Sequence, residues 1–101
     1  MKNKSNNNKI ETHKEICENI HNMYIKKNHD YGDSVSDTYN KFGMDSFLVR
    51  MYDKLNRLYT LTRKGSEIKV ADEKIEDTLL DLANYSIIAV VERKNDKKNI
   101  K

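Results

Sequence analysis

The sequence contains no proline and no tryptophan, and only one cysteine and three glycines among its 101 residues. Without proline, nothing clashes with a helix interior or removes a helical donor, and this favours an all-α chain. A single cysteine, Cys17, excludes an internal disulfide and a multi-cysteine metal site, and fits a reducing cytoplasm. No apolar run reaches the roughly 18 residues of a membrane span, and no signal-type apolar segment follows the polar N-terminus. A phosphate-binding Gly-x-x-x-x-Gly-Lys loop, a nucleophile elbow and a His-Glu-x-x-His helix are all absent. The same is true of an RNP motif, a zinc finger and a basic heptad region. With a net charge of only +3, lysines at the two ends offer at most weak, salt-sensitive attraction, so nucleic acid is not an expected partner.

What is present is unevenly spread. Charged residues make up 35% and apolar residues 37% of the chain, but residues 1–9 and 93–101 are almost wholly polar. The expected organisation is therefore a disordered polar tail over 1–9, a single helical domain over 10–92, and a basic disordered tail over 93–101. A chain of this length buries about 60–70% of its unfolded surface, which allows one modest core.

Ile16, Ile20, Met23 and Tyr24 recur at helical spacing and predict a helix over 10–27, with Cys17 as a small core residue near its apolar face. A loop, Lys27–Gly43, follows, with a short helix near 37–42 that Gly43 ends. Phe47, Leu48, Met51, Leu55, Leu58 and Leu61 draw the face of a helix over 45–64, capped by Asp45 or Ser46 and closed by Gly65. A last helix over 72–92, with Asp72 as N-cap, carries Ile75, Leu79, Leu82, Ala83, Ile87 and Val90, together with Leu80, Ile88 and Val91. An apolar arc that wide belongs to a central helix or a subunit interface. The fold class expected is a small all-α bundle of three long helices and a short one, completed by homo-oligomerisation.

Two segments place polar groups on these helix faces. "RMYDKLNRL" sets Arg50, Asp53, Asn56 and Arg57 at spacings of three and four, with Lys54 alongside. "EDTLLDLANY" does the same with Asp77, Asp81 and Asn84, with Tyr85 adjacent. Asp77 and Asp81 repel by about 0.2–0.5 kcal/mol as an i,i+4 pair, so a compensating partner is expected. Either a cation from Arg50, Lys54 or Arg57 meets Asp81, or a ligand or divalent ion meets the carboxylates. His13, His21 and His29 have no spacing of a zinc site; His29, next to Asp30, is the one pocket candidate.

Taken together and in order, "KNHDYGDS", "RMYDKLNRL" and "DTLLDLANYSI" resemble the phage and prophage family called nucleotide modification associated domain 1, over about residues 20–92. The resemblance implies a small all-α phage protein concerned with nucleotide metabolism or recognition. That family is in turn distantly similar to MazG-like nucleoside triphosphate pyrophosphohydrolases, which hold magnesium with acidic pairs on two helices. Here the comparable helices offer Asp53 with Asn56 and Asp77, Asp81 with Asn84, so two of the carboxylates are amides or displaced. Glu15 and Glu18 supply a Glu-x-x-Glu on the first helix.

Two functions remain open at this point. One is a cofactor-free binding protein that holds or sequesters a phosphorylated nucleotide, including a cyclic or ADP-ribose-type immune signal, between helices or subunits. Arg50, Lys54 and Arg57 would meet phosphates, Tyr31, Tyr52 or Tyr85 would stack on a base, and Asp81 or Asn84 would read its edges. "HDYGDS" would wall the pocket, with Asp30 and Asp33 as polar contacts and Gly32 permitting the turn. The other is a magnesium-dependent pyrophosphohydrolase, or an accessory to nucleotide modification, with Asp53, Asp77 and Asp81 at the metal. A structural helical protein whose polar clusters are salt bridges is the third option.

Overall fold

The computed structural model describes residues 2–31, 33–63 and 68–99, with side chains at 7–29, 33–63 and 71–96. Four helices account for these residues: α1 Lys2–Tyr31, α2 Ser34–Phe42, α3 Asp45–Arg63 and α4 Ile68–Asn99. The all-α class, with three long helices and one short one, is as the sequence predicts. The chain divides into two compact units, Met1–Gly32 and Asp33–Lys101.

Both ends of α1, the start of α2 and both ends of α4 lie further out than the apolar pattern suggests, while α3 keeps its expected span to within a residue. α1 takes in residues 2–9 and continues to Tyr31, so the expected Lys27–Gly43 loop is mostly helix. α4 starts at Ile68, which puts Asp72 inside the helix instead of at its cap, and it runs on to Asn99 through most of the expected basic tail. The physical reason is the missing proline. Once a helix is nucleated, adding Lys, Asn or Glu costs little, and hydrophobic periodicity marks what packs better than where a helix stops. Gly65, expected to close α3, lies outside the described residues.

In the first unit, α1 has no interior of its own. Cys17 is exposed, not a core residue, with its Sγ 3.8 Å from His13 Nδ1. Ile16 and Met23 are exposed as well, and Ile20 and Tyr24 half-buried.

The second unit is a helix pair with a short helix laid against it. α3 and α4 pack on one another, and α2 packs on α3. The buried apolar side chains are Tyr39 of α2, Phe47 of α3, and Ile88 and Ala89 of α4. Tyr39 and Phe47 meet as a tilted ring pair, with centroids 5.7 Å apart and planes at 49°, an arrangement worth about 0.5–1.5 kcal/mol beyond burial. The inner face of α3 continues through half-buried Met51, Lys54, Leu58 and Leu61. Leu48 and Leu55, expected in that core, are 51% and 52% exposed. They sit about 100° around the helix from Phe47 and Lys54, and α4 covers only the Phe47 side.

The turn between α2 and α3 depends on Gly43. Its φ of 67° is left-handed, a conformation glycine adopts without a Cβ penalty. In that geometry its amide donates to the Tyr39 carbonyl at 2.6 Å, and its carbonyl accepts from the Ser46 amide at 3.1 Å and the Ser46 hydroxyl at 2.8 Å. The Met44 carbonyl accepts from Leu48 at 3.0 Å and so opens α3. Asp45 stands in the first turn, where its charge suits the helix dipole. Neither Asp45 nor Ser46 is therefore the cap.

Polar contacts hold α2 against α4. Glu92 is only 7% exposed, and its Oε2 accepts the Ser36 hydroxyl at 2.7 Å. The Tyr39 hydroxyl donates to Asp96, and this bond, burial and the Asp96 charge raise the phenol above its ordinary 10.0; Arg93 pulls it down and Glu92 adds to the rise. Thr78, 2% exposed, satisfies its hydroxyl on the Lys74 carbonyl at 2.6 Å.

Two outcomes are expected. Phe47→Ala should cost about 3–5 kcal/mol by removing the ring from a core this small, read as a lower urea midpoint. Because the folded-state pKa of Tyr39 is raised, its contribution is complete below about pH 10 and is lost as pH climbs through the higher folded value. The stability gap between the parent and Tyr39→Phe should thus be constant from neutral pH to about pH 9 and shrink above pH 10. A gap that widened there would contradict the assignment.

Candidate functional site

The polar seam foreseen on two helices exists in the second unit, and α3–α4 packing assembles it. The two helices run antiparallel, so residues four apart on α3 meet residues four apart on α4 in reverse order. Lys54 Nζ lies 3.3 Å from Asp81 Oδ2. One turn away the Arg50 guanidinium stands over the Tyr85 ring, 5.9 Å from its centroid. A further turn along, Phe47 and Ile88 line the same small cavity.

That cavity has a volume of about 20 Å³. It is walled by Val35 and Thr38 from α2, Ser46, Phe47 and Arg50 from α3, and Tyr85 and Ile88 from α4. Such a space holds one water, since about 10–15 Å³ suffices. It is far below the roughly 300–1,000 Å³ of small-molecule pockets. A larger ligand would lie along the seam's open side, where Arg50 is exposed, and only a protruding group could enter between the helices.

The compensation expected for Asp81 is the Lys54 pair. With the side chains 27% and 46% exposed, the pair is worth no more than about 1 kcal/mol. Asn84, next to it on α4, has a buried Oδ1 with no hydrogen-bond partner. A buried acceptor left unpaired costs about 1–3 kcal/mol, so this atom would gain from a donor brought by a ligand or a water.

Other predicted site residues are not drawn in. Asp53, Arg57 and Asp77 are exposed. No three His, Cys, Asp or Glu side chains among the described residues are grouped to hold a metal ion. Asp53, Asp77 and Asp81, the magnesium set of the hydrolase reading, are not gathered into such a group. Tyr52 is 65% exposed on the outer side of α3, apart from Tyr85. Asp33 occupies the N-cap position of α2, but its side chain makes no capping bond and is exposed; only its carbonyl takes part, accepting from Asp37 at 2.9 Å. The side chains of Asp30 and Tyr31, and Gly32, lie outside the described residues. Both Asp30 and Tyr31 belong to α1 instead of a loop.

Sequence reasoning missed the contribution of α2. Val35 and Thr38 wall the cavity, while Ser36 and Tyr39 dock the short helix. An i,i+3 pair of hydroxyls beside Phe47 could have suggested it. Glu92 and Asp96 gave no such signal, because one ended the apolar pattern and the other sat in a segment read as tail.

A short helix braced on an antiparallel pair, with two cations on one long helix facing a carboxylate and an aromatic ring on the other, defines a small all-α protein built around a polar interhelical seam. Residues 27–92 match the family described as nucleotide modification associated domain 1, and the chain belongs to that family. The matched span takes in α2, α3 and most of α4. No curated protein and no solved structure matches the chain. Among the described residues, no helix is long and apolar enough to cross a membrane.

The seam's geometry predicts its energetics. In a double-mutant cycle of Lys54→Met and Asp81→Asn, the coupling should be about 0.2–1 kcal/mol and should decline with added salt. Coupling above about 3 kcal/mol, insensitive to salt, would mean a buried pair that no ligand could displace.

Proposed function

We propose that the protein binds a phosphorylated nucleotide along the α3–α4 seam and holds it without hydrolysing it. The observation that carries this reading is the juxtaposition, one helical turn apart, of the Lys54–Asp81 pair and the Arg50–Tyr85 stack. The family's association with nucleotide modification agrees with it. Arg50 would take a phosphate through its planar fork of donors and Lys54 as a point charge. Releasing Lys54 from Asp81 costs under about 1 kcal/mol, less than the roughly 1.5–3 kcal/mol of a charge-assisted hydrogen bond to phosphate. Tyr85 is the stacking ring, and base stacking on an aromatic side chain is worth about 1–3 kcal/mol. Asn84 and the freed Asp81 would then read donors on the base or ribose.

The finer reading is sequestration: a phage protein of this kind would remove a cyclic or ADP-ribose-type signal from its host's defence. Holding a signal intact needs affinity and no reactive group. The seam, with no triple of metal-binding side chains among the described residues, suits holding better than cleaving.

Calorimetry against mononucleotides, linear and cyclic dinucleotides and ADP-ribose derivatives tests this. At least one class should bind and be recovered intact after long incubation. Arg50→Ala together with Lys54→Ala should weaken it by at least about tenfold, with thermal stability nearly unchanged. Absence of heat with every class would reject the binding reading, and recovery of pyrophosphate and monophosphate in the presence of magnesium would reject holding in favour of hydrolysis.

A further inference from the structure

α4 is apolar on both sides, and α3 covers only one of them. The inner side carries Thr78, Ile88, Ala89 and Glu92. The outer side carries Leu79, Leu80, Ile87, Val90 and Val91, all 38–50% exposed, with Ala83 exposed among them. These are mostly the residues the sequence marks as the helix's hydrophobic stripe. By position they span an arc of about 120° centred about 160° around the helix from Thr78. A helix of 32 residues with an apolar outer stripe several turns long has more than the scattered exposed aliphatics of an ordinary surface.

We propose that a second copy of the chain covers this stripe, with the two α4 helices antiparallel about a two-fold axis that passes between Ala83 and Ile87. The argument is the self-complementarity of the outer face. Setting Ala83 against the partner's Ile87 also sets Leu80 against the partner's Val90 and Leu79 against the partner's Val91. Small faces large near the axis, and apolar faces apolar on either side. The same register brings Glu76 opposite the partner's Lys94. Exposed charge on α4 is net acidic before the stripe, with Asp72, Glu73, Glu76 and Asp77 against Lys74, and basic after it, with Arg93 and Lys94. A parallel pairing would oppose like charges at both ends and is disfavoured. A two-fold contact makes each of these pairs twice, as an isologous interface requires.

The area is consistent with a dimer of modest strength. The exposed apolar side chains of the stripe amount to on the order of 400 Å² per copy, within the 300–600 Å² of the largest patch on a typical monomer. Doubled, and with the aliphatic stems of Glu76 and Lys94 added, the contact approaches the roughly 1,000 Å² that a specific interface needs. An interface at that limit takes much of its specificity from the charge pairs at its ends.

Sedimentation velocity of the full chain over a dilution series tests the pairing and requires no nucleotide. The parent protein should show a concentration-dependent shift from 11.9 kDa to twice that mass. Ile87→Asp should be monomeric throughout and keep the parent's far-ultraviolet helicity, because the side chain is half exposed and outside the α3–α4 contact. Glu76→Lys and Lys94→Glu should each weaken the dimer by at least about tenfold, and the two combined should recover most of the parent's affinity by exchanging the signs across the axis. A parent that stays monomeric, an Ile87→Asp variant that still dimerises, or a double exchange no tighter than the single ones would each overturn the proposal. The charge variants decide the matter even if Ile87→Asp fails to fold.

Discussion

The contact between α3 and α4 fixes where Arg50, Lys54, Asp81 and Tyr85 stand, because one antiparallel register supplies three successive rungs. Phe47 shares a cavity with Ile88, Arg50 lies over Tyr85, and Lys54 reaches Asp81. A slip of one residue on either helix would turn its side chains by about 100° and disperse all three. The apolar rung supplies most of the energy, since burying a phenylalanine is worth about 1.5–3 kcal/mol against under about 1 kcal/mol for the exposed pair. The polar rungs contribute chiefly specificity, by penalising registers that leave a carboxylate facing a carboxylate.

That division of labour has a functional side. The charges on the seam are matched to each other only weakly, so a polyanion of the kind proposed would compete for the cations without dismantling the fold. Asp81, by contrast, already has a counter-charge, and Asp53 and Asp77 are spread over exposed helix surface. A hard cation asks for several oxygens at once, and this arrangement offers them singly. Anions and planar rings fit the seam better than metal ions do.

The sequence was most legible where periodicity met chemistry. Helix class, the position of the α2–α3 turn at Gly43 and the facing of Arg50 and Lys54 toward Tyr85 and Asp81 all follow from spacing, whereas Asp53, Arg57 and Asp77, on the same two segments, stay exposed. Helix ends were illegible because, with no proline, nothing in the pattern distinguishes a packed turn from a solvated one. On α4 the pattern left two readings open, a central helix or a subunit interface: Leu79, Ala83 and Ile87 draw the stripe, yet the face turned to α3 holds Thr78 and Glu92. Those two are polar by residue type and become acceptable inside only through bonds to Lys74 and Ser36, which no one-dimensional pattern records. Cys17 was misplaced for a related reason, since an apolar stripe promises burial only where a partner surface exists.

α2 has consequences for how the seam is assembled. Nine residues are too few for a helix to persist by itself in water, where about 12–15 are marginal, so α2 is helical because it is docked. Its two bonds to α4, from Ser36 and Tyr39, therefore maintain one wall of the cavity as well as a contact. Opening of α2 would leave the α3–α4 pair standing and remove that wall, a sub-global event of the kind that costs less than unfolding. Whatever the seam holds would then bind to the docked fraction alone, and its apparent affinity would scale with that fraction. Under the proposed function the short helix would act as a rheostat: substitutions at Ser36 or Tyr39, neither of them a proposed ligand contact, would set how much of the protein is competent to bind.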